Sequence, residues 1–116
     1  MADDQRHDLR NETLRYATLV SERDLTNVAV MLHDDAVLFD PGEKEIVGKQ
    51  SIVAFMGKLF ALDPVFRCEV ANIWLDGAVS ILEFQLTIGS ARIAGVDVIE
   101  WRDGRIARIR AYVDPV

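Results

Sequence analysis

The sequence contains one cysteine, no long apolar run and fewer basic than acidic residues, and each shortage excludes a class of structure or partner. With Cys68 alone, the chain can form no internal disulfide. No apolar run approaches the roughly 20 residues that a membrane-spanning helix needs. Lys and Arg number 13 against 19 Asp and Glu, and the net charge of −6 disfavours nucleic acid and anionic membrane surfaces. We therefore expect neither a nucleic acid nor a membrane among the partners.

Targeting signals and internal repeats are missing as well. The first ten residues are polar and charged and lack the apolar core of a signal peptide, so a cytoplasmic protein is expected. No repeat, linker or low-complexity tract interrupts the 116 residues, and half of them are hydrophobic. That length is typical of one globular domain, which predicts a single domain over residues 1–116.

The first half of the chain has the periodicity of helices. A first helix is predicted from about Asp3 to Glu22, with Tyr16 in the middle of its apolar stripe and therefore pointing inward. A second is predicted to follow an N-cap at Asp24 and to end in the polar triplet His33-Asp34-Asp35. A third is predicted over Lys49–Ala61, with Ser51 as its cap.

Between the second and third helices, the run Ala36–Phe39 predicts a short strand, which Asp40-Pro41-Gly42 ends. After the third helix the period changes from 3.6 to 2. Four strands are predicted, over residues 65–75, 78–88, 91–102 and 105–113, with hairpin signals at Asp76-Gly77 and Asp103-Gly104. The fold class is therefore α+β, with three N-terminal helices packed in a strongly curved mixed or antiparallel sheet. Such a sheet forms a cone, whose interior is a natural ligand cavity.

Three polar side chains are candidates for chemistry in that cavity. Asp40 is either a turn residue or a base at the end of a buried strand. Asp97 shares a strand face with Ile99 and Trp101, which makes it either a buried carboxyl with a raised pKa or a group that faces solvent or pairs with an arginine. Tyr16 is either ordinary core or a hydrogen-bond donor. Together, a base and two donors are what proton abstraction beside a carbonyl requires.

Cys68 has a plainer interpretation. It alternates with Phe66 and Val70 in a predicted strand, so a buried structural thiol is expected. On the outer face of the sheet, alternating apolar positions favour an interface, and we expect a homodimer through this face. Those positions are Val79, Ile81, Val96 and Val98.

Five motifs in the chain resemble those of the NTF2-like superfamily (SnoaL-like), closest to its ketosteroid isomerase branch. The resemblance runs from about Leu9 to Val113. It rests on Arg15-Tyr16-Ala17, Asp34-Asp35-Ala36 leading to Asp40-Pro41, Gly48-Lys49, Asp103-Gly104-Arg105-Ile106, and Arg110-Ala111-Tyr112.

The resemblance implies an isomerase that moves a C=C bond into conjugation with a ketone, on a steroid or similar hydrophobic ketone. Asp40 would be the base, and Tyr16 with protonated Asp97 would form the oxyanion hole, a role assignment that follows the known chemistry of ketosteroid isomerase. No metal and no organic cofactor are implied. The expected substrate-binding residues are Phe39, Phe55, Met56, Phe84, Trp101 and Val113.

The chain departs from the isomerase pattern at three positions. Leu32 and Met56 stand where some isomerases carry tyrosines that support the oxyanion tyrosine, and Val113 stands where some carry an aromatic residue. Two alternatives therefore stay open. One is a polyketide cyclase-like enzyme that uses Asp97 as its acid-base group. The other is a non-catalytic module that binds a small ligand in the same cone.

Overall fold

The computed structural model describes residues 2–42 and 44–114, with side chains from residue 8 onward except that of residue 44. Three helices and six strands make up this part of the chain. The helices are α1 (Ala2–Ser21), α2 (Leu25–Met31) and α3 (Lys49–Phe60). The strands are β1 (Leu32–Asp40), β2 (Lys44–Val47), β3 (Phe66–Asp76), β4 (Val79–Ile88), β5 (Ala91–Arg102) and β6 (Arg105–Val113).

The six strands form one sheet in the order β2-β1-β6-β5-β4-β3. Strands β3 to β6 are an antiparallel meander, as their turn signals predict, and β1 joins β6 in parallel. Helix α1 packs against β3 and β4, and α3 packs against β1 and β2. The predicted α+β class, with three helices and a curved mixed sheet, is confirmed.

The boundary between the second helix and the first strand differs from the prediction. Helix α2 ends at Met31, so His33, Asp34 and Asp35 lie in β1 and not at a helix end. The strand begins early because Leu32 already pairs with Ile106 of β6. The predicted N-cap is confirmed, since the carboxylate of Asp24 accepts a hydrogen bond from the Asn27 backbone N–H at 3.1 Å.

The start of α3 also corrects a prediction, because Gly48 and not Ser51 is its N-cap. Gly48 has φ +94°, a conformation that glycine adopts without strain. Its N–H donates to the Ala36 carbonyl at 2.7 Å, which ties the helix start to β1. No helix in the described residues is long and apolar enough to cross a membrane.

Candidate active site

Asp40 and Asp97 lie in one row across the sheet, separated by a single residue. Asp97 of β5 pairs with Ala111 of β6, and continuing the β1–β6 register beyond Phe39 and Arg110 brings Asp40 beside Ala111. All three side chains line the same cavity. Because neighbouring strands lie about 4.8 Å apart, the two acids are roughly 10 Å apart at the backbone. The small Ala111 leaves the space between them open.

Asp40 is both a turn residue and a cavity residue. It is the last residue of β1, and its Oδ1 accepts a hydrogen bond from the Gly42 N–H at 2.9 Å. This bond is typical of an Asx turn and orients the carboxylate. It engages one oxygen and leaves the other for a ligand. The two interpretations of Asp40 are therefore compatible.

Tyr16 points into the cavity from α1 with only 4% of its surface exposed. Its pKa is raised well above the ordinary value, chiefly by burial and further by the nearby charges of Asp97 and Cys68. The hydroxyl therefore stays protonated and can donate a hydrogen bond.

Asp97 faces the cavity and is 8% exposed, which excludes the alternative that it points to solvent. Burial raises its pKa to about 7, and the nearby charge of Asp40 adds to the rise. Arg110, an arginine of the neighbouring strand β6, pairs with Glu100 at 3.6 Å and not with Asp97. Near neutral pH, a large share of Asp97 is a neutral acid that can donate a hydrogen bond.

The cavity that holds these groups is narrow and mostly apolar, with a volume of about 90 Å³. Four of the predicted substrate-binding residues line it: Phe55, Met56, Phe84 and Val113. The other lining residues, besides Tyr16, Asp40, Asp97 and Ala111, are Val20, Leu38, Leu59, Phe60, Phe66, Cys68, Leu82 and Leu86.

Phe39 and Trp101 correct the sequence prediction, because neither lines the cavity. Phe39 precedes Asp40 on an alternating strand and therefore points to the opposite face, where the Arg108 guanidinium lies 5.5 Å from its ring centre. Trp101 shares the inner face with Asp97 but lies four residues further along β5. Its indole is buried in the core, where its N–H donates to Ser80.

Cys68 is a cavity residue that the sequence analysis assigned to structure alone. It is partly exposed, and it lines the cavity close enough to Asp97 for the two charges to interact. Burial, followed by the charges of Asp97 and Glu69, raises its thiol pKa to about 12, so the thiol stays neutral. The alternation of Cys68 with Phe66 along β3 indicated that Cys68 is on the inner face of the sheet. Its place at the site, like that of Ala111, depends on the pairing register of the strands.

A chain of buried hydrogen bonds joins α1 to the sheet beside the site. The Trp101 indole N–H donates to Ser80 Oγ at 2.9 Å, and the Ser80 and Thr13 hydroxyls are 2.8 Å apart. Thr13 Oγ1 lies 2.7 Å from the Leu9 carbonyl, which only accepts. The single Thr13 proton therefore goes to Leu9, and Ser80 donates to Thr13. This chain holds α1 on β4 and β5 one turn before Tyr16.

Replacing Ser80 by alanine should lower the free energy of unfolding by about 1–3 kcal/mol, because the Trp101 N–H then lacks its acceptor in the core. Urea denaturation measures the loss. Ser51→Ala removes the same group from an exposed position and should change stability by less than about 0.5 kcal/mol. Equal losses of stability in the two variants would contradict a structural role for the hydrogen bonds that join Trp101, Ser80 and Thr13.

In the part of the chain that the structure describes, no three His, Cys, Asp or Glu side chains converge as metal ligands do. Asp34 pairs with Lys49 at 3.3 Å, and Asp35 pairs with Arg102 at 3.0 Å. Asp34 and Asp35 of the polar triplet therefore form surface ion pairs, while the His33 ring is hydrogen-bonded to the Arg102 carbonyl.

Most of the chain, residues 13–109, matches the sequence profile of the SnoaL-like domain. The chain belongs to the SnoaL-like family. Its fold is the NTF2-like fold, with three helices on a curved sheet of six strands. Among proteins of curated function, none matches this SnoaL-like sequence significantly.

Solved structures similar to this SnoaL-like domain have names that cover three reactions. A Kribbella flavida protein provisionally named a ketosteroid isomerase superposes with a TM-score of 0.85 at 21% identity, over 95% of this chain and 80% of that one. A Shewanella denitrificans protein provisionally named a SnoaL-like polyketide cyclase gives 0.78 at 17%, over 91% and 90%. An LEH-like epoxide hydrolase of M. tuberculosis gives 0.77 at 25%, over 93% and 84%.

Proposed function

We propose that this SnoaL-like protein is an isomerase that moves a C=C bond into conjugation with a ketone, on a steroid or similar hydrophobic ketone. The observation that carries the proposal is the row of Asp40 and Asp97 on either side of Ala111, with Tyr16 above it. A base at one end and two hydrogen-bond donors at the other match the needs of enolisation. The name of the Kribbella flavida neighbour is consistent with this chemistry.

The reaction would need no metal and no organic cofactor. The carboxylate of Asp40 takes a proton from the carbon between the carbonyl and the alkene. The electron pair of that C–H bond moves into the carbonyl, and the dienolate oxygen accepts hydrogen bonds from Tyr16 and protonated Asp97. Asp40 then returns the proton to the far carbon of the former alkene. Every proton and electron pair stays within the substrate and Asp40.

Ultraviolet absorbance tests the proposal directly, because the conjugated product absorbs where the substrate does not. The substrates are β,γ-unsaturated ketones of increasing size, from cyclohex-3-en-1-one to a 5-ene-3-ketosteroid. Enzyme-dependent conversion of at least one of them is expected. Failure on the whole series, with folded protein, would refute isomerisation and favour a binding role for the cavity.

The cyclase-like alternative is favoured by one observation. Asp97 is buried in the cavity lining, and this burial raises its pKa to about 7, which suits a group that both gives and takes a proton at neutral pH. In that mechanism Asp97 would do the proton transfer, and Asp40 would be secondary. The isomerase therefore requires Asp40 for proton transfer, whereas the cyclase-like enzyme requires Asp97.

We also propose that the chain forms a homodimer through the outer face of the sheet. The four apolar positions expected there are half-buried, and two aromatic residues next to them are exposed, Trp74 by 50% and Tyr112 by 57%. Trp74 is in the same row as Ile81 and Val98, and Tyr112 is beside Val96. An apolar patch of this kind is typical of an interface.

Replacing Val98 by aspartate should convert the dimer to a monomer, because the charge would be buried without a partner at the interface. Sedimentation velocity at micromolar concentration measures this change. Val30→Asp introduces the same charge at an exposed site on α2 and should leave the dimer intact. A monomeric wild-type protein at this concentration would contradict the proposal.

A further inference from the structure

We infer that the cavity takes a ketone of about one ring, and that Phe84, seated on Gly95, sets this limit. The inference rests on the proposed function, since it names the substrate class of the same site. It narrows the substrate from steroids in general to small β,γ-unsaturated ketones such as a cyclohexenone. Three features of the cavity support it: the row of acids, the row of side chains on each side of that row, and the free volume of the cavity.

The row of acids offers room for one ring. Asp40 and Asp97 are roughly 10 Å apart at the backbone, and Ala111 forms the floor between them. A six-membered ring on Ala111 would present its oxygen to Asp97 while its C–H bonds face Asp40. The two acids thus contact opposite edges of a single ring. A longer fused-ring ligand would have to extend out of this row in one of two directions.

Phe84 narrows the first direction, in which Cys68, Phe66 and Leu86 continue the lining of the cavity. The neighbouring row consists of Phe84 on β4, Gly95 on β5 and Val113 on β6. A Cβ atom added to Gly95 would lie 2.7 Å from Cζ of Phe84 and 2.9 Å from Cγ1 of Val113. The Phe84 ring from β4 and the Val113 side chain from β6 therefore both lie directly over the backbone of Gly95. Since Gly95 is two residues from Asp97, this wall stands about 7 Å from the row of acids.

The second direction is closed by core side chains. The row on the other side of the acids contains Leu38, Ile109 and Ile99, which are buried against each other. Phe55 and Met56 of helix α3 line the cavity as well. The remaining space is about 90 Å³, whereas pockets for drug-sized ligands measure roughly 300–1,000 Å³. One small ring fills such a space, and four fused rings exceed it.

Phenols of increasing size test the limit without relying on turnover. A phenol presents a planar ring and an oxygen that can bond to Tyr16 and Asp97 as a dienolate would. The probes are phenol, 2-naphthol and estradiol, and titration calorimetry gives each Kd. For the wild type we expect phenol to bind at least tenfold more tightly than estradiol, although the larger apolar surface of estradiol favours it where it fits.

Removing the wall should reverse this order. In Phe84→Ala, 2-naphthol and estradiol should bind at least tenfold more tightly than they bind the wild type. Phe84→Leu, which keeps more of the core, serves if the alanine variant unfolds, and it should give a smaller shift in the same direction. Phe39→Ala is the matched control, because its ring lies outside the cavity, and it should leave the wild-type order unchanged.

The outcomes separate the size limit from the reaction. Wild-type binding of estradiol as tight as that of phenol, no binding of any phenol, or an unchanged order in both folded Phe84 variants would each overturn the inference. Size-ordered binding without conversion of any ketone would support the size limit and refute the isomerase. Conversion of a ketosteroid together with tight estradiol binding would support the isomerase and overturn the size limit.

Discussion

Asp40→Asn should lower the rate of isomerisation by about 10²–10⁴-fold, the usual contribution of a positioned general base. Asparagine has nearly the shape of aspartate but cannot take a proton from carbon at neutral pH. The substitution also keeps an oxygen that can accept the Gly42 N–H at the end of β1, so the turn should be preserved. The loss should therefore fall on kcat, with little change in the binding of a phenol to the same site.

The matched control for this experiment is Asp34→Asn. Asp34 is on the same strand, but its side chain is exposed and pairs with Lys49 at the surface. Its substitution should leave kcat within about twofold of the wild type, since surface pairs contribute little. If Asp40→Asn keeps the full rate of isomerisation while Asp97→Asn loses it, Asp97 and not Asp40 is the acid-base group.

The strands of the second half could be predicted from the sequence because local signals determine them. Each strand alternates in polarity, and the turns carry residues suited to positive φ, such as Gly77 at +58°, Asp103 at +53° and Gly104 at +77°. The first strand could not be predicted as well. Its start at Leu32 depends on pairing with Ile106, and no local pattern reports a contact over more than 70 residues.

The site shows the same division between local and distant information. Helical spacing predicted that Tyr16 points inward, whereas alternation along β5 grouped Asp97 with Ile99 and Trp101 but left open whether that face is the inner one. Alternation also argues against Phe39, which directly precedes Asp40 on a strand. Trp101 shows the limit of alternation as evidence, because a residue on the same face as Asp97 can still lie too far along the strand to reach the cavity. The position of Ala111 between the two acids depends on register across three strands.

A second large effect is expected in the pH dependence of stability, and Asp97 is its source. In the folded protein its pKa is about 7, against an ordinary value of 3.8 in the unfolded chain. Between these values the folded state holds the proton more tightly than the unfolded state does. The resulting stabilisation is complete below pH 3.8 and is lost as the pH rises through about 7. At about 1.4 kcal/mol per pH unit, the full effect is about 4 kcal/mol.

The measurement is urea denaturation of the wild type and Asp97→Asn at about pH 5 and about pH 8. Over this range the wild type should lose about 2–3 kcal/mol relative to the variant, because asparagine has no proton to release. Other carboxylates titrate in both proteins, so their effect cancels in the comparison. Parallel pH profiles would mean that Asp97 is ionised in the folded protein at neutral pH.

That result would bear on the mechanism as well as on stability, since an ionised Asp97 cannot donate a hydrogen bond to a dienolate. A steep wild-type profile, in contrast, would establish the neutral acid that the oxyanion hole needs. It would also link the two acids of the row, because the charge of Asp40 contributes to the raised pKa of Asp97. Removing that charge in Asp40→Asn should then move the midpoint of the stability profile to lower pH.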